Sequence, residues 1–350
     1  MPSSIRRLLP ALSLTACACL VAAVSSCSSS PGGTQAQRGT QAQAVSDNAT
    51  VINFGDQEQE FETLLNASGA LAGAPYKVSF VEFDSGPLVD AGFAAHRIDI
   101  GEMGDLPASL AIKSGLPVEA VAISEPIGAS EYLLAKPGIT SIAQLKGKPV
   151  AYTTGTAEQA FALRALAQAG LTQKDVQQVN VSLLELGTVL DTGAADASVV
   201  SVEQKVDYQQ DHSGAVVLAT QDTVTPASYD YLLGTTAALG NPAKLAAITD
   251  LTKRIVKAEN WEKTHQSQWV TDYYVDVEHQ TPAVAKLILA AGGTTNYVPI
   301  NATVQAALQN VVTLMAGAGA WPAQFSVASL FSQAEATRYN TALQEVPQNG

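Results

Sequence analysis

Cysteine is almost absent from this chain. The three present, Cys17, Cys19 and Cys27, all fall in the first 27 of 350 residues. No later segment can form a disulfide, a thiolate metal site or a cysteine nucleophile. Histidine is as scarce: His96, His212, His265 and His279 lie far apart, without the i,i+4 pair that a helical zinc site uses. Basic residues are few, 19 against 32 acidic ones, for a net charge of -13, and no Lys/Arg run exceeds two. Nucleic acid, bound largely by neutralising phosphates, is therefore not an expected partner. No P-loop, Gly-x-Ser-x-Gly elbow or Gly-x-Gly-x-x-Gly fingerprint occurs, and nothing points to a cofactor or a metal.

Apolar residues make up 47% of the chain and charged ones 15%, ample for one or two packed cores and unlike a disordered chain. At the N-terminus, Arg6 and Arg7 precede a mostly apolar stretch from Leu8 to Val24 that ends in Val24-Ser25-Ser26-Cys27. Positive, then apolar, then small residues is the order of a secretory signal. The stretch is broken by Pro10 and is too short for a transmembrane helix, which needs about 20 apolar residues. Small residues before a cysteine resemble the bacterial lipobox, so residues 1–26 are expected to be removed and Cys27 to carry the lipid. Acyl chains there would hold a secreted domain on the outer face of the cytoplasmic membrane or in the periplasm. Residues 27–49, rich in Ser, Gly, Gln, Ala and Thr, read as a flexible tether.

From Thr50 onward strand and helix patterns alternate. Strands are expected at Thr50–Gly55, Tyr76–Phe83, Ile98–Ile100, Val118–Ser124, Glu131–Ala135, Pro149–Thr153, Val179–Leu183, Ala197–Val200, Val216–Ala219 and Tyr229–Gly234. Helices are expected at Glu58–Ser68, Leu88–Ala95, Thr140–Leu145 and Ala157–Ala169, from starts at Asp105 and Thr172, and at Pro242–Trp269, Pro282–Ala291 and Val304–Ala316. Repeated strand–helix units predict an α/β fold: two open, mainly parallel sheets with helices on both faces and a hinge. Residues 50–135 and 230–350 are assigned to lobe I and 136–229 to lobe II. Trp261 and Trp269, eight apart on one predicted helix, read as core packing.

Three turns follow a strand and start a helix: Ser85-Gly86-Pro87, Gly104-Asp105-Leu106-Pro107 and Thr154-Gly155-Thr156. The first turn of a helix leaves backbone N–H groups unpaired at a positive dipole end, and such ends bind anions without a cationic side chain. Ligands of open α/β sheets sit at the carboxyl ends of strands, where these turns fall. Asp196, entering the strand at Ala197, serves either as a ligand acceptor or as a loop acceptor.

These turns, with Glu82-Phe83-Asp84-Ser85-Gly86-Pro87, Ile98-Asp99-Ile100-Gly101, Ser141-Ile142-Ala143-Gln144-Leu145-Lys146-Gly147-Lys148 and Leu163-Arg164-Ala165-Leu166 in order, resemble the substrate-binding proteins of ABC importers for aliphatic sulfonates, taurine and nitrate. The resemblance implies a type II periplasmic-binding-protein fold, a monomer closing by hinge motion on a small anion, and delivery to a membrane permease and its ATPase. Carried over, the ligand-binding positions are Gln57, Ser85, Gly86, Gly104, Asp105, Thr154, Gly155, Thr156, Asp196 and Ser198. Relatives often carry tryptophans where Ser198 and Ser201 stand, which implies a wider, more polar pocket here. Sulfonate or taurine is the first expectation; nitrate, bicarbonate, a thiamine-precursor-like heterocycle, or a non-transport lipoprotein are the alternatives. Desulfinases that resemble the fold use a cysteine nucleophile, which this chain lacks past Cys27, so no enzyme is expected.

Overall fold

The computed structural model describes residues 49–128, 130–224 and 228–346; the signal, Cys27 and most of the tether lie outside them. Eleven strands form among the described residues: β1 (Thr50–Gln57), β2 (Tyr76–Phe83), β3 (Ile100–Met103), β4 (Val118–Ile127), β5 (Glu131–Ala135), β6 (Pro149–Ala151), β7 (Gln177–Val179), β8 (Ala197–Ser201), β9 (Val216–Thr220), β10 (Asp230–Thr235) and β11 (Thr294–Tyr297). They build a six-stranded sheet in the order β11-β4-β10-β3-β1-β2 and a five-stranded sheet in the order β7-β6-β8-β5-β9.

Both sheets are mixed, with most strands in each running the same way, as expected. β1 pairs in parallel with β2 and β3, and β6 with β7 and β8. β10 is inserted antiparallel between β3 and β4, and β5 antiparallel between β8 and β9. The reason lies in the connections. Strands within a βα unit run toward the ends where their helices begin. β5 and β10 arrive from the other sheet, so each enters at that same end and runs the opposite way. β5 pairs wholly within the five-stranded sheet, so the first passage between sheets falls between 127 and 131, ahead of the expected position at 135. The helix Pro282–Ala291, expected with the first lobe, packs Ile288 among Tyr132, Leu134, Val200 and Val206 of the second.

Local chemistry accounts for most elements. Tyr76–Phe83 carries β-branched and aromatic residues that fit a strand. The helix Pro242–Thr264 starts where Asn241 accepts from the backbone N–H of Ala243 and Lys244, with Pro242 in the first turn. It stops before the expected Trp269. His265 leaves helical geometry, its ring stacked on Trp261 at 4.8 Å with Nδ1 2.9 Å from the Trp261 carbonyl. A short helix, Gln266–Trp269, and a wide π turn, Val270–Val275, follow. The expected strand at Val179–Leu183 lies earlier, at Gln177–Val179, because Ser182 and Glu185 close a capping box around Leu183–Glu185. The helix Ala157–Gln168 is buried from Gln159 to Leu166. Its apolar residues belong to a core shared with the six-stranded sheet, so one hydrophobic cluster runs through both lobes.

Candidate functional site

The carboxyl ends of β1, β3 and β8 and the amino ends of β5 and β10 meet at a cleft between the sheets. Gln57, Glu102, Gly104, Ser201, Glu131 and Asp230 line it from these ends. All three turns singled out in the sequence border it, through Gly86, Gly104 and Thr156, and they pack together. A Cβ on Gly86 would lie 2.5 Å from Pro107, and one on Gly104 would lie 2.8 Å from Ala157. Gly155 holds a left-handed φ of 88°, and a Cβ there would sit 3.3 Å from Pro87 and 3.4 Å from Leu110. The glycine thus serves contact between turns of different lobes. Gly155→Val is expected to cost about 1–3 kcal/mol through strain and crowding, read by chemical denaturation; an unchanged midpoint would show that the turn relaxes freely.

The donors of the third turn are already engaged. The Thr154 N–H donates to Asn180 Oδ1 at 2.8 Å and the Gly155 N–H to Gln159 Oε1 at 2.9 Å. The Thr156 hydroxyl donates to the Thr153 carbonyl at 2.9 Å. Ser85 stands half-buried in extended geometry just before the helix Gly86–Ala94.

Three carried-over positions lie elsewhere. Asp105 is 2% exposed and bound to Arg164 at 2.5 Å. It joins the helix after β3 to the helix after β6 beneath the turns, and Arg164 had no sequence signal beyond its place in a matching stretch. Asp196 precedes β8, at the opposite end of that strand from Ser201, where it accepts from Lys136 and Lys148 at 3.5 and 3.2 Å. Ser198 is fully enclosed, its hydroxyl on the Val199 carbonyl at 3.4 Å. Strand alternation explains the last case: of the two serines, Ser201, at the strand end, reaches the cleft and caps the helix Val202–Asp211 through the Gln204 N–H.

What the cleft carries instead is carboxylates. Glu58 and Glu60 enter from the turn after β1, with Glu58 and Gln59 both held in left-handed backbone geometry. Buried Asp56 fastens that turn, accepting from the N–H groups of Phe61 at 3.1 Å and Glu62 at 2.8 Å. Gln57 Nε2 donates to the Glu102 carbonyl at 3.1 Å and its carboxylate at 3.4 Å. Asp84, Glu102, Glu131, Glu158 and Asp230 line the part near the turns, and Glu203, Glu259 and Glu262 the far part. Among the described residues no Lys, Arg or His lines these walls. The far part, about 280 Å³, is lined by Trp269, Tyr273 and Tyr274. Trp269 and Tyr273 stack at 4.7 Å with planes 9° apart, so Trp269, expected as core, also forms wall.

Burial and mutual repulsion raise these acids. Enclosure pushes Asp230 up to about 7, helped by neighbouring carboxylates. Glu259 rises to about 8 through burial first and Glu262 second. Glu102 and Glu131 are driven well above the usual range by the same causes. A larger cavity, about 370 Å³, lies against the helix Pro242–Thr264 away from the strand ends. Its Arg254 is tied to Asp250 and its Lys253 to Glu345.

Two α/β lobes around a cleft at the strand ends define the architecture of a periplasmic binding protein. The NMT1/THI5 like family model matches residues 77–258, just over half of the chain, and the chain belongs to that family. A curated protein of Escherichia coli (strain K12) named for aliphatic sulfonate binding is 30% identical over 163 residues, 45% of this chain and 51% of that protein. The taurine-binding periplasmic protein of the same organism is 30% identical over 146 residues, 40% of this chain and 43% of its own. The chain thus spans about half the length of these relatives. Among solved structures, the alkanesulfonate-binding protein SsuA from Xanthomonas axonopodis pv. citri, bound to MOPS, shares the fold with a TM-score of 0.72 at 22% identity, covering 81% of this chain and 98% of that one. The desulfurization enzyme DSZB shares it with a TM-score of 0.58 at 11% identity, over 85% and 99%.

Proposed function

We propose that this chain is the solute-binding component of an ABC importer, capturing a small molecule between its lobes and presenting it to a membrane permease. The observation that carries this reading is the meeting of five strand ends and three helix-starting turns, from both lobes, at one polar cleft. In this reading the hinge lies at the two passages between the sheets, beside the cleft. A ligand touching both walls binds the closed form better, and only such a differential affinity shifts an open–closed equilibrium. Cys27 and the segment before it supply the proposed anchor at the outer face of the membrane.

Sulfonate names among relatives support an organic solute. For this cleft, a simple alkanesulfonate faces walls of carboxylates without a basic side chain, and the Thr154 and Gly155 donors are already used. Of the anions first expected, taurine fits best because its ammonium complements those walls. The test is thermal unfolding with ethanesulfonate, taurine, nitrate, bicarbonate, hydroxymethylpyrimidine and spermidine, with X-ray scattering on whatever binds. A ligand at a hundred times its Kd adds about 2.7 kcal/mol of apparent stability, and the radius of gyration should fall. No stabilisation by any compound would favour a lipoprotein without a transport role; stabilisation without compaction would remove hinge closure.

A further inference from the structure

We propose that the far part of the cleft is a site for an extended organic polycation of the aliphatic polyamine class, held by Glu60, Glu203, Glu259 and Glu262 against the Trp269–Tyr273 stack. This rests on the solute-binding reading and names its ligand chemistry. The acidic walls alone would be a solvated surface. The second observation is Glu259. It is only 6% exposed, lines the cavity, and makes no hydrogen bond or ion pair among the described residues. Lys263, one turn along, is held by Asn296 Oδ1 at 2.9 Å instead. A buried carboxylate without a partner is costly, and a charged donor placed beside it removes that cost.

The spacing selects the shape of the cation. Among the described residues no three acids converge closely enough to hold one metal ion. The charges instead follow the cleft from Glu259 and Glu262 past Glu60 toward Glu102 and Asp230. A chain of ammonium groups separated by methylenes matches that distribution. Its methylenes and N–H groups suit the faces of Trp269 and Tyr273, since aromatic faces attract cations. The groups acting on Glu259 from neighbouring elements are Glu60, Glu102, Asp230 and Tyr297, with Glu262 and Lys263 on its own helix. The carboxylates among them disfavour its ionisation and Lys263 favours it, while Tyr297 stays a neutral phenol. Polyamine binding should therefore release protons and weaken as the pH falls from 8 to 5.

Calorimetry on the full chain with spermidine, putrescine, taurine and ethanesulfonate tests this. Spermidine should bind one to one, tighter than taurine, with proton release detected in buffers of different ionisation enthalpy. Glu259→Gln should weaken spermidine about thirtyfold or more, the loss for one partner of a buried charge pair. Asp211→Asn, on an exposed helix end, should leave it unchanged, separating the site from attraction to the net charge. Taurine or ethanesulfonate binding more tightly than spermidine would overturn the polycation site and leave solute capture standing. Spermidine binding that Asp211→Asn weakens as much as Glu259→Gln would overturn it as diffuse attraction. No binding of any probe would overturn it and also count against the solute-binding reading.

Discussion

Arg164→Ala should lower the stability of the folded chain by about 3–5 kcal/mol, the cost of leaving one partner of a buried ion pair alone. The Arg164 and Asp105 side chains are 4% and 3% exposed. The other Asp105 oxygen, Oδ1, is buried without a hydrogen-bond partner among the described residues, so the arginine carries the compensation. Burial works against the Arg164 charge, and Asp105 beside it more than restores it. Replacing both by apolar residues, Asp105→Leu with Arg164→Met, should recover most of the loss, because desolvating two charges offsets much of their attraction. Denaturant unfolding of the three variants measures this. The pair joins helices of different lobes, so a loss below about 1 kcal/mol in Arg164→Ala would mean that it is solvated and the lobes stand apart there.

Stability should fall as the pH rises from 5 to 8 in the absence of ligand. Glu259 is raised from an ordinary 4.5 to about 8, chiefly by burial. Asp56 and Asp230 are raised to about 7, also by burial first. Between the ordinary and raised values the folded chain holds protons that the unfolded chain has released, so unfolding becomes more favourable as pH rises. The contribution is full below about pH 4 and lost as the pH passes through 7 to 8. For Glu259 alone this is on the order of 4 kcal/mol. Asp175 and Glu185, lowered by their capping bonds to Thr172 and Ser182, act only at more acidic pH. Melting temperature should therefore drop between pH 5 and pH 8, and Glu259→Gln should flatten the decline. A melting temperature that climbs over this interval would mean that the cleft carboxylates are solvated and ordinary.

Of these features, the sequence by itself determined the alternation of strands and helices, because side-chain periodicity and capping residues act within a few residues of one another. Tyr76–Phe83, Glu131–Ala135 and Pro282–Ala291 form where the pattern puts them. It also marked the turns at Gly86, Gly104 and Gly155, since glycine after a strand and before a helix is a local signal. Elements with weak periodicity escaped it: the polar helix Val202–Asp211 and the edge strand Thr294–Tyr297. Only the tertiary structure decided the direction of β5 and β10, because that depends on which sheet a strand enters from. It also placed Asp105 in an interlobe ion pair, Asp196 among lysines and Ser198 in the core. The acidic character of the cleft arises in the same way. Glu58, Glu102, Glu158, Glu203, Asp230 and Glu259 are scattered along the chain and unremarked one by one. Folding brings them to the ends of strands and helices that meet, where they line one cleft and mutual repulsion raises the pKa of residues that would otherwise be ordinary surface charges.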